Sequence, residues 1–158
     1  SEIEAIFIDK PENCPEKERI LRALENQLEG GRGYEVTHTA LALGLYIERK
    51  CLNSDDPAVK VLIHKVCDSL QYISNSIVAP TDLKLESLCF LCYLNHKEKV
   101  NFSELERLLE YQRPDGAFSG SSNPNSGINV HTTLLALWLL CEFTIPNINQ
   151  GTTMIRTP

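Results

Sequence analysis

The chain has 158 residues, of which 42% are hydrophobic and 23% are charged, proportions typical of a globular domain. Its 21 acidic and 15 basic residues give a net charge of −6, and such a negative surface repels the phosphates of nucleic acid. No segment has the roughly 18–20 consecutive apolar residues of a membrane-spanning helix, so we expect neither a nucleic-acid partner nor a transmembrane segment.

Apolar residues recur at helical spacing through most of the chain, and the alternation of a β-strand nowhere persists. Gly30 and Gly31 end the first helix, and Pro57 begins the third after a cap at Ser54 or Asp55. The pattern predicts six helices, at about residues 15–28, 35–51, 57–74, 81–95, 103–112 and 129–143.

These helices divide the chain into three parts. A helical domain is expected at residues 15–146, because Pro146 ends the last helix. A lead segment at residues 1–14 precedes it, and a C-terminal tail at residues 147–158 follows it. The acidic N-terminal residues do not resemble a secretory signal peptide.

The cysteines are predicted to be reduced. Four of the six lie inside apolar helical runs, where a thiol behaves as a small hydrophobic group; these are Cys67, Cys89, Cys92 and Cys141. Cys89 and Cys92 lack the second cysteine pair of a zinc site. Because cytosolic proteins keep their thiols reduced, we expect a cytoplasmic location, with redox or metal chemistry as the alternative.

The helices alternate between two kinds of surface. Charged residues flank a Leu/Ile stripe in "EKERILRALENQ" and "SELERLLEYQ", a pattern typical of outer helices. The second, fourth and sixth helices are apolar nearly all round and align at intervals of about 45–48 residues when His38, Glu86 and His131 are superposed. Paired polar and apolar helices predict an all-α layered barrel or solenoid of three helical hairpins.

The stretch "EYQRPDGAFSG", at residues 110–120, has the features of a structural link between the last two helices. Gln112 can bond to free backbone groups at the end of its helix and reach the N–H groups of the next one. Asp115 and Gly116 predict a tight turn with positive φ at the glycine, and Phe118 is expected to be buried.

This stretch and the helix after it resemble the repeat of the α/α-toroid superfamily, which contains squalene and terpenoid cyclases and protein prenyltransferase β subunits. The resemblance is carried by Leu108, Leu109, Gln112, Asp115, Gly116, Phe118, Thr132, Thr133, Ala136 and Leu137. A second copy comprises Leu24, Gln27, Gly30, Gly31, Tyr34, Thr39, Ala40 and Leu43. The resemblance implies three hairpins of a partial α/α toroid, with inner apolar helices and outer amphipathic helices.

In that superfamily the inner helices run parallel around an apolar cavity, which would place His38, Glu86 and His131 on one rim here. Two histidines and one carboxylate from three helices could hold a divalent metal ion. The alternative is that each of these residues caps or packs against the start of its helix.

The resemblance also limits the expected chemistry. Squalene-type cyclases carry Asp-x-Asp-Asp-Thr where this chain has "EVTHT", so Glu35 replaces the first Asp while Thr37 and His38 replace the proton donor. The Asp-x-Cys triplet that begins the prenyltransferase zinc site is absent from the sequence. Glu35 and His38 can still form an acid/base pair on one helix face, and His131 is a further catalytic candidate.

We therefore expect a terpene-cyclase/prenyltransferase-like domain that binds an apolar ligand, such as an isoprenoid, without a cofactor. The expected ligand-binding residues are Tyr46, Glu86, Phe90 and Trp138. One alternative is a non-catalytic helical-repeat module that binds protein, and another is a metal-dependent enzyme using His38, Glu86 and His131.

Three hairpins make only half of a closed ring. An open half ring leaves apolar inner helices exposed at one edge, which soluble proteins seldom tolerate. We therefore expect a homodimer, or a partner segment that completes the ring, and two-fold pairing is the commonest way to close such an assembly.

Overall fold

The computed structural model describes residues 14–121, 123 and 127–144. Within these residues the chain is all-α, as predicted, with no β-strand and with six α-helices and one 3-10 helix. The α-helices are α1 (Lys17–Gly30), α2 (Tyr34–Glu48), α3 (Pro57–Ser76), α4 (Asp82–Tyr93), α5 (Phe102–Glu110) and α6 (Val130–Thr144), and the 3-10 helix covers Lys97–Lys99. None of the helices described is long and apolar enough to cross a bilayer.

Parts of the predicted domain division lie outside the described residues. They are the lead segment up to residue 13, Pro146 and the tail at 147–158. The predicted cap of α3 is wrong by one residue, because Asp56 accepts a hydrogen bond from the Ala58 N–H at 2.9 Å and Pro57 occupies the first helical position.

Helix α4 occupies the centre of the fold and packs against α2, α3 and α6, while α1 packs against α2 and α3. Residues 84–91 of α4 are all buried. A helix surrounded by other helices must be apolar nearly all round, which explains why α4 has no polar face in the sequence.

Helices α2 and α4 run side by side in the same direction. Near their starts, the Thr37 hydroxyl donates a hydrogen bond to Glu86 Oε2 at 2.6 Å. Near their ends, the Tyr93 ring lies over Gly44, where a Cβ atom would come within 2.1 Å of Tyr93 Cε1. The glycine therefore makes room for the aromatic ring between the two helices.

Helix α6 runs parallel to α4 on its other side. The Thr132 hydroxyl donates a hydrogen bond to Asp82 near the start of both helices. Toward their ends, the ring centroids of Phe90 and Trp138 are 6.1 Å apart. Three parallel helices thus place their N-terminal halves together and their C-terminal halves together.

Helix α5 is joined to α4 by a buried ion pair. Lys84 forms a salt bridge with Glu104, and its ammonium group also donates to the Ile77 carbonyl at 2.7 Å. Because a buried charge is costly unless it is paired and hydrogen-bonded, these contacts fix the position of the loop before α4 and of α5 after it.

The loop at residues 110–121 differs in part from its prediction. Gly116 has the predicted positive φ, +85°, and Phe118 is buried at 2% exposure. Gln112 does not link to the next helix, however, because its amide donates to the Gly116 carbonyl at 2.9 Å within the same loop. The link to α6 comes from the Phe118 backbone, whose N–H donates to Thr133 Oγ1 at 3.0 Å and whose carbonyl accepts from the Asn129 N–H at 2.9 Å.

A disulfide bond between Cys14 and Cys51 was not expected from the sequence. It joins the residues before α1 to the segment after α2, and the two cysteines are 37 positions apart. The other cysteines are free, as predicted; these are Cys67, Cys89, Cys92 and Cys141. Since disulfides are typical of oxidising compartments, the bond weighs against the cytoplasmic location, which stays a prediction.

Candidate functional site

A cavity of about 550 Å³ lies against α2, α4 and α6, and we call it the α2/α4/α6 cavity. It is lined by His38, Leu41, Glu48, Glu86, Phe90, Tyr93, His131, Leu135 and Trp138. Its volume falls within the range of roughly 300–1,000 Å³ that is usual for small-molecule sites in proteins.

Helical periodicity explains why these residues share one surface. The lining residues of α4 and of α6 follow the same i, i+4, i+7 spacing, which keeps side chains on one helix face. In chain order they are Glu86, Phe90 and Tyr93 on α4, and His131, Leu135 and Trp138 on α6. On each helix a polar residue lies toward the start and an aromatic residue toward the end, so the parallel helices give the cavity a polar end and an aromatic end.

Glu86 is the most deeply placed charged residue of the polar end, with 7% of its surface exposed. Its Oε2 accepts the hydrogen bond from the Thr37 hydroxyl, and its Oε1 lies 3.7 Å from His131 Nε2. The Thr37 contact fixes the carboxylate so that one oxygen is satisfied within the fold and the other lies beside the cavity-lining histidine.

His131 lies between two carboxylates. Its Nδ1 is 3.4 Å from Asp82 Oδ2, on the opposite side of the ring from Glu86. Asp82 is held in turn by the Thr132 hydroxyl and by the Asn129 side-chain amide, which donates to Oδ2 at 3.4 Å. The two nitrogens of the His131 ring therefore each face a carboxylate of α4 at ion-pair distance.

Tyr34 lies at the start of α2, outside the cavity lining but beside its polar end. Its ring centroid lies 6.3 Å from that of His38. The pKa of the Tyr34 hydroxyl is raised above its ordinary value, first by partial burial and then by the negative charges of Asp82 and Glu86. The polar end of the cavity is therefore electrostatically negative.

The aromatic end consists of three mutually packed rings. Phe90 and Tyr93 lie 6.1 and 6.2 Å from Trp138, with interplanar angles of 78° and 72°. These edge-to-face contacts are a favourable geometry for aromatic rings. The Trp138 indole N–H donates to Glu142 Oε1 at 3.1 Å, which holds the ring in place.

The carboxylate of Glu48, which also lines the cavity, lies beside Tyr93 at the aromatic end. Burial raises the pKa of Tyr93 to about 12, and a hydrogen bond with Glu48 and the charge of Glu48 act in the same direction. Glu48 is exposed and lies at the end of α2.

Comparison with family profiles, curated proteins and solved structures gives no match to this chain. The resemblance to the α/α toroid therefore stays a prediction from the motif, and the function must be argued from the geometry of the α2/α4/α6 cavity.

Five of the seven predicted site residues line the cavity: His38, Glu86, Phe90, His131 and Trp138. Glu35 does not lie among the lining residues, because its carboxylate accepts a hydrogen bond from the Arg32 N–H at 3.2 Å at the start of α2. Tyr46 is also outside the lining, since it is buried in the hydrophobic core at 5% exposure. Glu35 and His38 therefore do not share one wall of the cavity, and their acid/base role stays a prediction.

Asp82, Glu48, Tyr93 and Thr37 are site residues that the sequence analysis missed. Asp82 lies four residues before Glu86 on the same helix, and this spacing could have drawn attention to it. Glu48 and Tyr93 carry no such signal, because their placement depends on how α2 and α4 pack.

No metal site is found among the residues described. These residues include no group of three His, Cys, Asp or Glu side chains placed to hold a metal ion. The alternative of a metal-dependent enzyme that uses His38, Glu86 and His131 therefore has no ligand set among them. Burial raises the pKa of both Cys67 and Cys92 to about 12, which keeps these thiols protonated and unreactive.

Proposed function

We propose that this chain is a small-molecule-binding domain that holds an apolar ligand, such as an isoprenoid, in the α2/α4/α6 cavity. The observation that carries the proposal is a cavity of about 550 Å³ with three aromatic and two leucine side chains in its lining. Concave sites with mostly apolar walls and a few polar groups are typical of ligand pockets.

The proposal includes a terpene-cyclase/prenyltransferase-like architecture, in which the three hairpins form part of an α/α toroid. Three features support it: α2, α4 and α6 are parallel, α1 packs on α2 and α3, and the cavity faces the parallel helices. The Asp-Gly-x-Phe loop before α6 has the positive φ and the buried aromatic residue that the repeat motif predicts.

We assign no reaction to the cavity. Glu35 is not among the lining residues, and the acid motif of the cyclases is missing from the sequence. Binding alone accounts for the apolar and aromatic walls.

A protein-interaction module is a second candidate, favoured by an exposed apolar stripe on α6. Val130, Leu134 and Leu137 are 68%, 59% and 56% exposed and lie at i, i+4, i+7 positions. A second copy of the chain would cover such a face by two-fold pairing. Light scattering of the unmodified protein and of Leu134→Lys tests two-fold pairing. A dimer that is lost in Leu134→Lys would support pairing through this stripe. A monomeric unmodified protein would exclude it.

Trp138 provides a direct test of ligand binding, because it is the single tryptophan of the chain and lines the cavity. Titration with an isoprenoid alcohol such as farnesol should change its fluorescence in a saturable way. Leu41→Arg, which places a charge in the lining, should abolish the change, whereas the matched variant Leu137→Arg on the exposed stripe should preserve it. A fluorescence signal that never saturates, together with the absence of lipid in native mass spectra of the purified protein, would reject the proposal.

A further inference from the structure

We infer that the ligand of the α2/α4/α6 cavity carries a cationic head group, of the alkylammonium class, on its apolar body. This inference rests on the proposed function and deepens it. The polar side chains in the cavity lining belong to His38, Glu48, Glu86, His131 and Tyr93, and no Lys or Arg is among the residues described there. The lining therefore carries negative charge from its two carboxylates.

Glu86 is the group best placed to receive the head group. Its Oε2 is already bonded to Thr37, whereas its Oε1 has His131 Nε2 at 3.7 Å, an ion-pair contact longer than a hydrogen bond, so an ammonium group would compete with protonated His131 for this oxygen. This oxygen can accept an ammonium N–H. Because Glu86 is only 7% exposed, its attraction for a cation is screened less by solvent than that of an exposed carboxylate such as Glu48.

At the same end of the cavity, the starts of α4 and α6 do not offer a phosphate or diphosphate head group their full set of free N–H groups. Helix starts can bind anions through free N–H groups, but here nearby side chains occupy donors of both α4 and α6. The Lys84 N–H donates to Thr81 Oγ1 and the Thr132 N–H donates to Asn129 Oδ1. An anion would also face the carboxylates of Asp82 and Glu86.

The aromatic end accommodates the remainder of such a ligand. From Glu86 to Tyr93 the helix rises by roughly 10 Å, at about 1.5 Å per residue, which sets the length of apolar body that fits beside the rings. Aromatic faces also attract alkylammonium groups, so Phe90 and Trp138 tolerate positive charge on the ligand.

The experiment compares decylamine, decanol and decyl phosphate, which share one chain length and differ in head group, by the fluorescence of Trp138. We expect decylamine to bind about 10-fold more tightly than decanol, as one charge-assisted hydrogen bond predicts, and decyl phosphate to bind most weakly. Equal binding of the amine and the alcohol, or tightest binding of the phosphate, would overturn the inference and leave the proposed function intact. Failure of all three to bind would reject both.

Two matched variants locate the head group. Glu86→Gln keeps an oxygen that can accept the Thr37 hydrogen bond, and it should reduce decylamine affinity to that of decanol while decanol affinity is unchanged. Glu48→Gln tests the other carboxylate of the lining, and Glu106→Gln, which removes an exposed carboxylate of α5 outside the lining, is the control and should preserve the preference for the amine. Loss of the preference in Glu48→Gln but not in Glu86→Gln would overturn the assignment of the head group to Glu86. The ranking of the three ligands in the unmodified protein tests the head-group class even if one variant fails to fold.

Discussion

Thr37 on α2 and Glu86 on α4 are joined by a hydrogen bond of 2.6 Å in the buried interior. It connects two neighbouring parallel helices at the polar end of the α2/α4/α6 cavity. Removing the Thr37 hydroxyl leaves the buried Glu86 carboxylate without this hydrogen bond. The loss lowers the free energy of unfolding, because the carboxylate remains desolvated.

Thr37→Val should therefore lower the free energy of unfolding by about 1–3 kcal/mol, measured by urea denaturation. Thr39→Val is the matched control, since Thr39 is equally buried but donates to the Glu35 carbonyl of its own helix at 2.7 Å. The control should cost less, because that carbonyl belongs to the regular backbone of α2. Equal costs for the two variants would show that the Glu86 contact contributes nothing specific.

Gly44→Ala should displace the Tyr93 ring, because the added Cβ would lie 2.1 Å from Tyr93 Cε1. We expect a loss of stability of about 1–3 kcal/mol from overpacking, and a change in the emission of Trp138, which packs against Tyr93. Gly30→Ala is the control, since a Cβ atom at that position would meet no other atom within 4 Å. If Gly44→Ala melts at the same temperature as the unmodified protein, the close approach of the ring to α2 is wrong.

Gly116→Val should cost well over 1 kcal/mol, because φ is +85° at this position and a β-branched residue is strained there. Space is not the cause, since a Cβ would meet only the Gln112 amide nitrogen, at 4.0 Å. Gly116→Asn should cost less, because asparagine tolerates the left-handed region better than valine. Thermal melting that ranks the two variants in the opposite order would contradict the backbone conformation of this turn.

The Cys14–Cys51 disulfide makes a prediction about thiol content and stability. Alkylation of the unfolded, unreduced protein should label four of the six cysteines, which mass spectrometry can count. Cys51→Ser should lower the free energy of unfolding by about 2–4 kcal/mol, since the cross-link restricts the unfolded chain. A reducing agent should destabilise the unmodified protein and leave Cys51→Ser unchanged; six labelled thiols without reduction would exclude the bond.

The helices and part of the site could be predicted from the sequence because both depend on helical periodicity. Superposing the apolar helices brought His38, Glu86 and His131 into register, and the structure places all three in the lining of one cavity. Phe90 and Trp138, which we also expected to bind the ligand, lie in the same lining. Equivalent positions on neighbouring parallel helices lie at the same level, so residues that are related by a sequence repeat come close together in the fold.

The remaining features depend on tertiary contacts that a pattern does not contain. Glu35 and Glu48 are both acidic residues near an end of α2, yet the Glu35 carboxylate accepts from the Arg32 N–H just before the helix while Glu48 lines the cavity. The pairing of Cys14 with Cys51 requires the residues before α1 to lie beside the end of α2, which hydrophobic spacing cannot specify.

Tyr93 should titrate well above the ordinary pKa of a tyrosine. Burial and Glu48 together raise the pKa of Tyr93 to about 12 in the folded state, from 10.0. A raised pKa favours the neutral hydroxyl in the folded protein, so its contribution to stability is complete below about pH 10 and is lost as the pH rises toward about 12. Ultraviolet titration of tyrosinate absorbance, compared with that of Tyr93→Phe, measures this pKa.

Glu48→Gln should lower the pKa of Tyr93 only in part, because burial is the larger cause and remains in the variant. If the pKa of Tyr93 instead lies near its ordinary value of 10.0, the aromatic end of the cavity is open to water and its rings do not form the apolar wall on which ligand binding depends.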